Sequence, residues 1–292
     1  CQKAYQDTSN IGEIILNVLE IIAISKYHKK PGMILLIDFS KAFDSISHEY
    51  IYECLNFFNF GPYFIKIVKT MLNSRKCNLM VDGYPTKQFK ILRGVPQGDT
   101  ASPYIFIIVL EILLLRIKHD KNLTFLKFNI QGYNKMDGGD MSIDPLQCFA
   151  DDMTAIMEET EANLIKMKEI FEEFKNLSGL EINEGKTKVI RIGANMDNLT
   201  PMTKEVKFKY VTTFTLLGVN IDNKLSNLHE NFEIRKKRIR QKIAIWRKLN
   251  LSTIGNLIIS KTFLISQLGY LLSMMDCPKE ILTEIQTDID AF

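Results

Sequence analysis

The sequence has 292 residues, 46% of them hydrophobic and 24% charged, an ordinary globular composition with room for one large domain or two to three subdomains sharing a core. Its 37 basic against 34 acidic residues leave a net +3, too small a surplus to name a partner, so a case for nucleic acid rests on where the charges sit. The cysteines (Cys1, Cys54, Cys77, Cys148 and Cys277) are odd in number, widely spread and without the short spacing of a zinc set, which leaves unpaired thiols in a reducing compartment.

In chain order, residues 1–10 are polar and carry no signal peptide, and residues 11–27 read as a helix closed by Lys29-Lys30-Pro31-Gly32. Met33 to Ile37 is a short apolar run ending at Asp38, the pattern of a buried strand. A helix from about Ser47 to Phe60 stops at Gly61, and Pro62 opens another with Phe64, Ile67, Val68 and Met71 on one face. Residues 77–91 form a hairpin turning near Asp82-Gly83. Ser102-Pro103 caps and starts a long apolar helix reaching Lys118. Its run from Tyr104 to Leu115 is interrupted by Glu111 and followed by Arg116, so it is a buried helix and not a membrane span.

Gln131 to Pro145 reads as a loop, and Gln147 to Met157 as a tight hairpin with Asp151-Asp152 near its tip. Residues 160–178 are an amphipathic helix with Leu164, Met167, Phe171 and Phe174 on one face, closed by Gly179. Strands follow at 187–192, 207–211 and 214–221, and everything from about 226 onward is helical. The chain opens on Cys and ends within a helical pattern, as expected for a piece of something longer, and an intracellular, soluble protein is expected, nuclear or cytoplasmic.

Chemistry concentrates in three places. Phe149-Ala150-Asp151-Asp152 puts two acids at a hairpin tip, where both can project into one cleft and a divalent cation would relieve their repulsion. Aspartate is also a common turn residue, so the pair taken alone reads first as an ordinary solvated turn. Asp38, at the end of a buried strand, needs a partner, and could complete a three-carboxylate site able to hold two metal ions if the strands are neighbours. Arg93-Gly94-Val95-Pro96-Gln97-Gly98-Asp99 is a tight loop that lets backbone approach a ligand, with Gln97 offering donor and acceptor.

Together and in this order, Leu36-Ile37-Asp38-Phe39-Ser40-Lys41-Ala42-Phe43-Asp44, Gly94-Val95-Pro96-Gln97-Gly98-Asp99 and Phe149-Ala150-Asp151-Asp152 resemble the blocks of a reverse transcriptase, most closely of the non-LTR (LINE-type) retrotransposon kind. The resemblance covers nearly the whole chain. It implies an α+β right-hand polymerase fold: an antiparallel palm sheet backed by helices (31–60 and 94–222), partial fingers (1–30 and 61–93) and a helical thumb from 223 to 292.

The implied activity is RNA-directed DNA polymerase, with RNA template, DNA primer and dNTPs as partners, two Mg²⁺ (or Mn²⁺) as cofactors and no membrane. Asp38 and Asp151 would bind the metals with help from Asp152 and the carbonyl of Phe39. Phe43 would lie beneath the incoming sugar and exclude a 2′-hydroxyl. Gln97 would contact the nucleotide, with Gly98 beside the template–primer.

Lys186, after Gly179-Leu180-Glu181-Ile182-Asn183, matches a lysine near the leaving pyrophosphate, able to offset charge or donate a proton. Thr215-Leu216-Leu217-Gly218-Val219 resembles the hairpin that grips the primer end, through Leu217 and Gly218. Arg235, Lys236, Lys237, Arg238 and Arg240 on the following helix would track a phosphate backbone. The chain departs from the family in its opening stretch Gln2 to Asn10 and at Thr100-Ala101, where proline and leucine are commoner; the resemblance places earlier fingers strands and an endonuclease domain outside this sequence. A non-catalytic RNA-binding remnant of a polymerase and a group II intron-type maturase are the alternatives.

Overall fold

The run between the Lys-Lys-Pro-Gly breaker and Asp38 becomes the central strand of the main sheet in the computed structural model, which describes residues 11–128 and 144–292. The expected loop 131–145 and the opening stretch 2–10 lie almost wholly or wholly outside the described residues. These residues divide into two compact units, Pro31–Arg191 with Leu199–Tyr210, and 11–30 with Ile192–Asn198 and Val211–Phe292.

In the first unit, β1 (Gly32–Ile37) leads through β2 (Phe39–Ser40) and a short helix α2 (Ala42–Ser45) into α3 (His48–Phe57), whose N-cap Ser47 accepts from the Tyr50 N–H. Next comes α4 (Pro62–Asn73), with proline in its first turn. Its buried face is Ile65, Val68 and Leu72, one position round from the expected one: Phe64 and Ile67 face solvent. Both sets fit a helical period, and Phe64 stacks on Phe60 at the surface, which leaves Ile65 to face the core.

A projecting ribbon follows, in which β3 (Lys76–Cys77) pairs with β6 (Phe89–Lys90) and β4 (Met80–Val81) with β5 (Tyr84–Pro85). Helix α5 (Ser102–Lys118) is capped by Ala101 rather than Ser102, and the Asp99 carboxylate accepts from the Ala101 N–H at 2.9 Å. The hairpin β7 (Leu146–Phe149) and β8 (Asp152–Met157) leads to α6 (Glu161–Ser178). That helix is closed by Gly179 in the left-handed region, as expected, and Thr160, read as its first residue, is its N-cap, accepting from the Asn163 N–H. Short β9 (Glu181–Ile182) pairs with β2, and β10 (Lys188–Ile192) and β11 (Lys209–Tyr210) complete the sheet, in the order β11-β10-β1-β8-β7.

Strand β8 is antiparallel to both β1 and β7, and β10 and β11 are parallel. All of β1 except Leu36 is buried, which explains a continuous apolar run where a half-exposed strand would alternate. Its core is shared with α3, α5 and α6 through Ile51, Phe106, Val109, Leu164 and Phe171. Each such side chain contributes roughly 1.5–3 kcal/mol on burial.

In the second unit, α1 (Ile11–His28) packs on a short 3-10 turn, Gly193–Asn195. The segment 214–221, one strand by its pattern, is the hairpin that the resemblance implies over Thr215–Val219: β12 (Thr213–Leu216) and β13 (Val219–Asp222) are joined by Leu217 and Gly218, both at positive φ, which turn the chain in two residues. Then come α7 (Glu230–Trp246), α8 (Thr253–Ile259), a π-helical stretch (Ser260–Ile265), α9 (Ser266–Leu272) and α10 (Lys279–Asp290). Cys54 and Cys148 are buried thiols, Cys77 and Cys277 half-buried ones, all four unpaired. Among the described residues no helix is long and apolar enough to cross a membrane.

Candidate active site

The ladder between β1 and β8 ends with Ile37 opposite Met153, and the next residue on each strand is Asp38 and Asp152. Directly opposed residues of an antiparallel pair share a face, so the two acids meet at one end of the sheet. Asp151 stands beside them in a two-residue turn between Phe149 and Asp152, whose first residue, Ala150, has φ +56°. A left-handed alanine costs roughly 1–2 kcal/mol. The turn accepts that cost in reversing the chain with two acids in succession.

Electrostatics record the crowding. Asp152 remains exposed, yet its carboxyl is held above the usual carboxylate range, first by loss of water around it and then by the negative charges of Asp151 and Asp38. Among the described residues no three His, Cys, Asp or Glu side chains are gathered closely enough to form a ready metal cluster. The donors at this end of the sheet are nonetheless all carboxylate oxygens, the type a hard divalent cation takes.

A lysine reaches the same place by a second route. The Asn183 N–H donates to the Asp38 carbonyl at 2.7 Å, continuing the β2–β9 ladder, and the Asn183 carbonyl then accepts from the Lys186 and Thr187 N–H groups at 3.1 and 2.8 Å. This tight turn sets Lys186 Nζ 3.8 Å from Asp38 Oδ2, and Thr187 Oγ1 3.5 Å from the Asp38 N–H, the outer limit of a hydrogen bond. Asn183 and Thr187 were not singled out in the sequence; an Asn two residues before Gly185 was the available turn signal.

The Gly94 loop packs on the segment after Asp38. Gly94 and Val95 donate from their N–H groups to the carbonyls of Ile46 and Phe43, both at 2.8 Å, and His48 Nε2 lies 2.9 Å from the Gly94 carbonyl. Gly94 has φ +77°, and a Cβ there would lie 2.7 Å from Asp44 Cα and from the Asp44 and Phe43 carbonyl oxygens. Phe43 itself is half-buried, stacked on Phe106 with ring centroids 4.7 Å apart. Phe39 is buried in β2. Gln97 and Gly98 sit exposed in the turn before α5.

The remaining candidates lie in the second unit. The Tyr270 hydroxyl donates to the Leu217 carbonyl at 2.8 Å and pins the left-handed tip of the β12–β13 hairpin, with Gly218 exposed next to it. The basic helix α7 does not present all its cations. Lys236 is bonded to Glu233 and Glu284 at 2.9 and 3.0 Å, and Arg240 to Asp288 and Glu284 at 2.6 and 3.1 Å. Arg235, Lys237 and Arg238 make no ion pair among the described residues.

A family model described as reverse transcriptase (RNA-dependent DNA polymerase) matches residues 2–221. A Xenopus laevis protein, the transposon TX1 uncharacterized 149 kDa protein, is 25% identical over 276 residues, which is 92% of this chain and 20% of that one. The Pol polyprotein of the Drosophila melanogaster type-2 retrotransposable element R2DM is 32% identical over 113 residues, 39% of this chain and 11% of its own length. This chain therefore spans about a fifth or less of these two relatives. Apo telomerase from Candida tropicalis superposes with a TM-score of 0.53 at 15% identity, over 99% of this chain and 47% of that one, a likeness of fold.

Proposed function

The chain belongs to the reverse transcriptase (RNA-dependent DNA polymerase) family, and we propose that it is the polymerase core of a non-LTR retroelement, adding deoxynucleotides to a DNA primer 3′-hydroxyl on an RNA template. The observation that carries this reading is the meeting of Asp38, from one matched block, with Asp152 from another at the end of the β1–β8 ladder, with Lys186 3.8 Å from Asp38.

Asp38, Asp151 and Asp152, with the Phe39 carbonyl, would hold two Mg²⁺, or Mn²⁺ in their place; bound there, the ions lower the pKa of the primer hydroxyl and offset charge at the phosphorus. Asp152 is raised first by loss of water and then by its like-charged neighbours Asp151 and Asp38, and that repulsion is what a cation would relieve. Lys186 would balance charge on the leaving pyrophosphate or give it a proton. Phe43, buttressed by Phe106, would bound the sugar pocket, and Gln97 with Gly98 would face the nucleotide and template–primer. In this reading 31–60 and 94–222 form the palm, 1–30 and 61–93 partial fingers, and 223–292 the thumb. Leu217 and Gly218 would hold the primer end, and Arg235, Lys237 and Arg238 of α7 would follow the backbone, with Lys236 and Arg240 held by the acids of α10. Any endonuclease would belong to other parts of the element.

The test is extension of a DNA primer on an RNA template by residues 1–292 with dNTPs and Mg²⁺, beside Asp151→Asn and Asp152→Asn. Extension lost in both variants supports the polymerase. Absence of extension, with template–primer binding insensitive to either change, moves these residues to a non-catalytic RNA-binding role.

A further inference from the structure

Residues 78–90 are thirteen consecutive exposed residues, an arm with no buried side chain of its own. Its two short ladders are out of step. Lys76 opposes Lys90 and Cys77 opposes Phe89, but Met80 opposes Pro85 and Val81 opposes Tyr84, so the returning strand carries one extra residue. Such a bulge twists a ribbon and re-aims its side chains. The tip is set by Asp82 and Gly83, both at positive φ, and the waist by Thr86, which donates its N–H to the Leu79 carbonyl and accepts the Leu79 N–H on its hydroxyl. A two-stranded ribbon with no core beneath it is marginal in water.

Its surface is what needs explaining. Tyr84 is 79% exposed, Met80 67% and Phe89 47%, so aromatic and apolar groups stand in solvent. From Arg75 to Arg93 there are five basic residues and one acid, a local +4 in a chain whose total is +3, so the rest of the sequence is net negative. Lys76 and Lys90 are directly opposed, both exposed, and neither has an acidic partner among the described residues. Like charges facing each other across a ladder destabilise it. Bound polyanion would reverse that penalty, and exposed aromatic faces are what unpaired bases stack on.

We propose that the arm 75–93 binds single-stranded nucleic acid, with the phosphates on Lys76 and Lys90 and bases stacked on Tyr84 and Phe89. Charge complementarity selects a nucleic-acid strand over an apolar protein surface as the occupant. The base of the arm supports a role near the candidate active site, because its second strand runs directly into Arg93 and Gly94, which packs on Phe43 and Asp44. The proposal deepens the polymerase reading and rests on it only in taking the strand to be template.

The test is binding by fluorescence anisotropy of the whole chain, without dNTPs, to labelled single-stranded RNA, the same sequence as single-stranded DNA, and a blunt duplex, across a salt series. Lys76→Gln with Lys90→Gln should weaken single-strand binding and reduce the slope of log affinity against log salt by about 1.4, two contacts at roughly 0.7 each. Tyr84→Ala with Phe89→Ala should weaken it about five-fold or more with the slope unchanged. All four side chains are exposed, and an unaltered circular dichroism spectrum confirms that the variants fold. Equal affinity in wild type and both variants overturns the proposal and leaves the arm to a protein partner. A preference for duplex, lost in the lysine variant alone, overturns the single-strand assignment. Binding that behaves as expected in a chain that extends no primer would sink the polymerase reading while the arm's role stands.

Discussion

Lys186 Nζ lies 3.8 Å from Asp38 Oδ2, and the turn that carries the lysine is hydrogen-bonded to the backbone carbonyl of that same aspartate. One residue therefore fixes both ends of the contact. The two side chains are 70% and 41% exposed, so the pair adds well under about 1 kcal/mol of stability. Its value is positional: a mobile cation is kept within reach of the carboxylates without being committed to them.

Lys186→Gln should therefore leave the melting temperature and RNA affinity nearly unchanged while slowing primer extension about 10²-fold. Single-turnover extension beside anisotropy binding separates the two. An unchanged extension rate would reduce Lys186 to a surface lysine.

Asp152 gives a pH signature. Its folded pKa is raised, so the folded state holds this proton more readily than the unfolded chain. The group accordingly works against folding when ionised at neutral pH, and that burden lifts as pH falls towards its raised pKa. In the presence of a chelator, Asp152→Asn should be the more stable protein at pH 7.5, with the advantage shrinking by pH 5. Urea melts at both values would show it; parallel pH dependence in the two proteins would mean that the Asp152 carboxyl is not raised in the folded chain.

Gly94→Ala should destabilise by at least about 2 kcal/mol, because it adds left-handed strain to a 2.7 Å collision with backbone. Gly83→Ala is the matched comparison. It has the same sign of φ, +84°, but open space around the new methyl, and should cost only about 1 kcal/mol. Similar losses in urea denaturation would show that the packing of the loop on Asp44 is dispensable.

On α7, Arg235→Gln with Lys237→Gln and Arg238→Gln should weaken RNA binding and flatten its salt dependence. Lys236→Gln and Arg240→Gln should act mainly on thermal stability, since their partners Glu284 and Asp288 lie on α10. Equal effects of all five on RNA affinity would show that the acids release their cations when nucleic acid arrives.

Sequence pattern carried the parts of the fold that depend on local chemistry. The apolar run into Asp38, the Asp82-Gly83 turn, the Gly179 stop, and the acids at the hairpin tip all stand where expected. What it missed depends on tertiary neighbours. Periodicity could not tell which of two adjacent stripes on α4 would be buried, since Phe64 found an aromatic partner outside the core. Alternation alone ran 214–221 together as one strand, because an aliphatic Leu217 at positive φ is not a turn signal; only the resemblance marked a hairpin there. A basic run likewise says nothing about which of its cations a distant helix has already neutralised.

The register of β1 carries a consequence for biogenesis. Its partners on β8 lie about 120 residues further along the chain, the kind of long-range pairing that makes folding slow. During synthesis a central strand, apolar on both sides, emerges well before the hairpin that covers it. A nascent chain stopped before Leu146 should be protease-sensitive and chaperone-bound, and one released beyond Met157 should acquire protection in a single step. The acids of the candidate site would then come together only as the sheet closes.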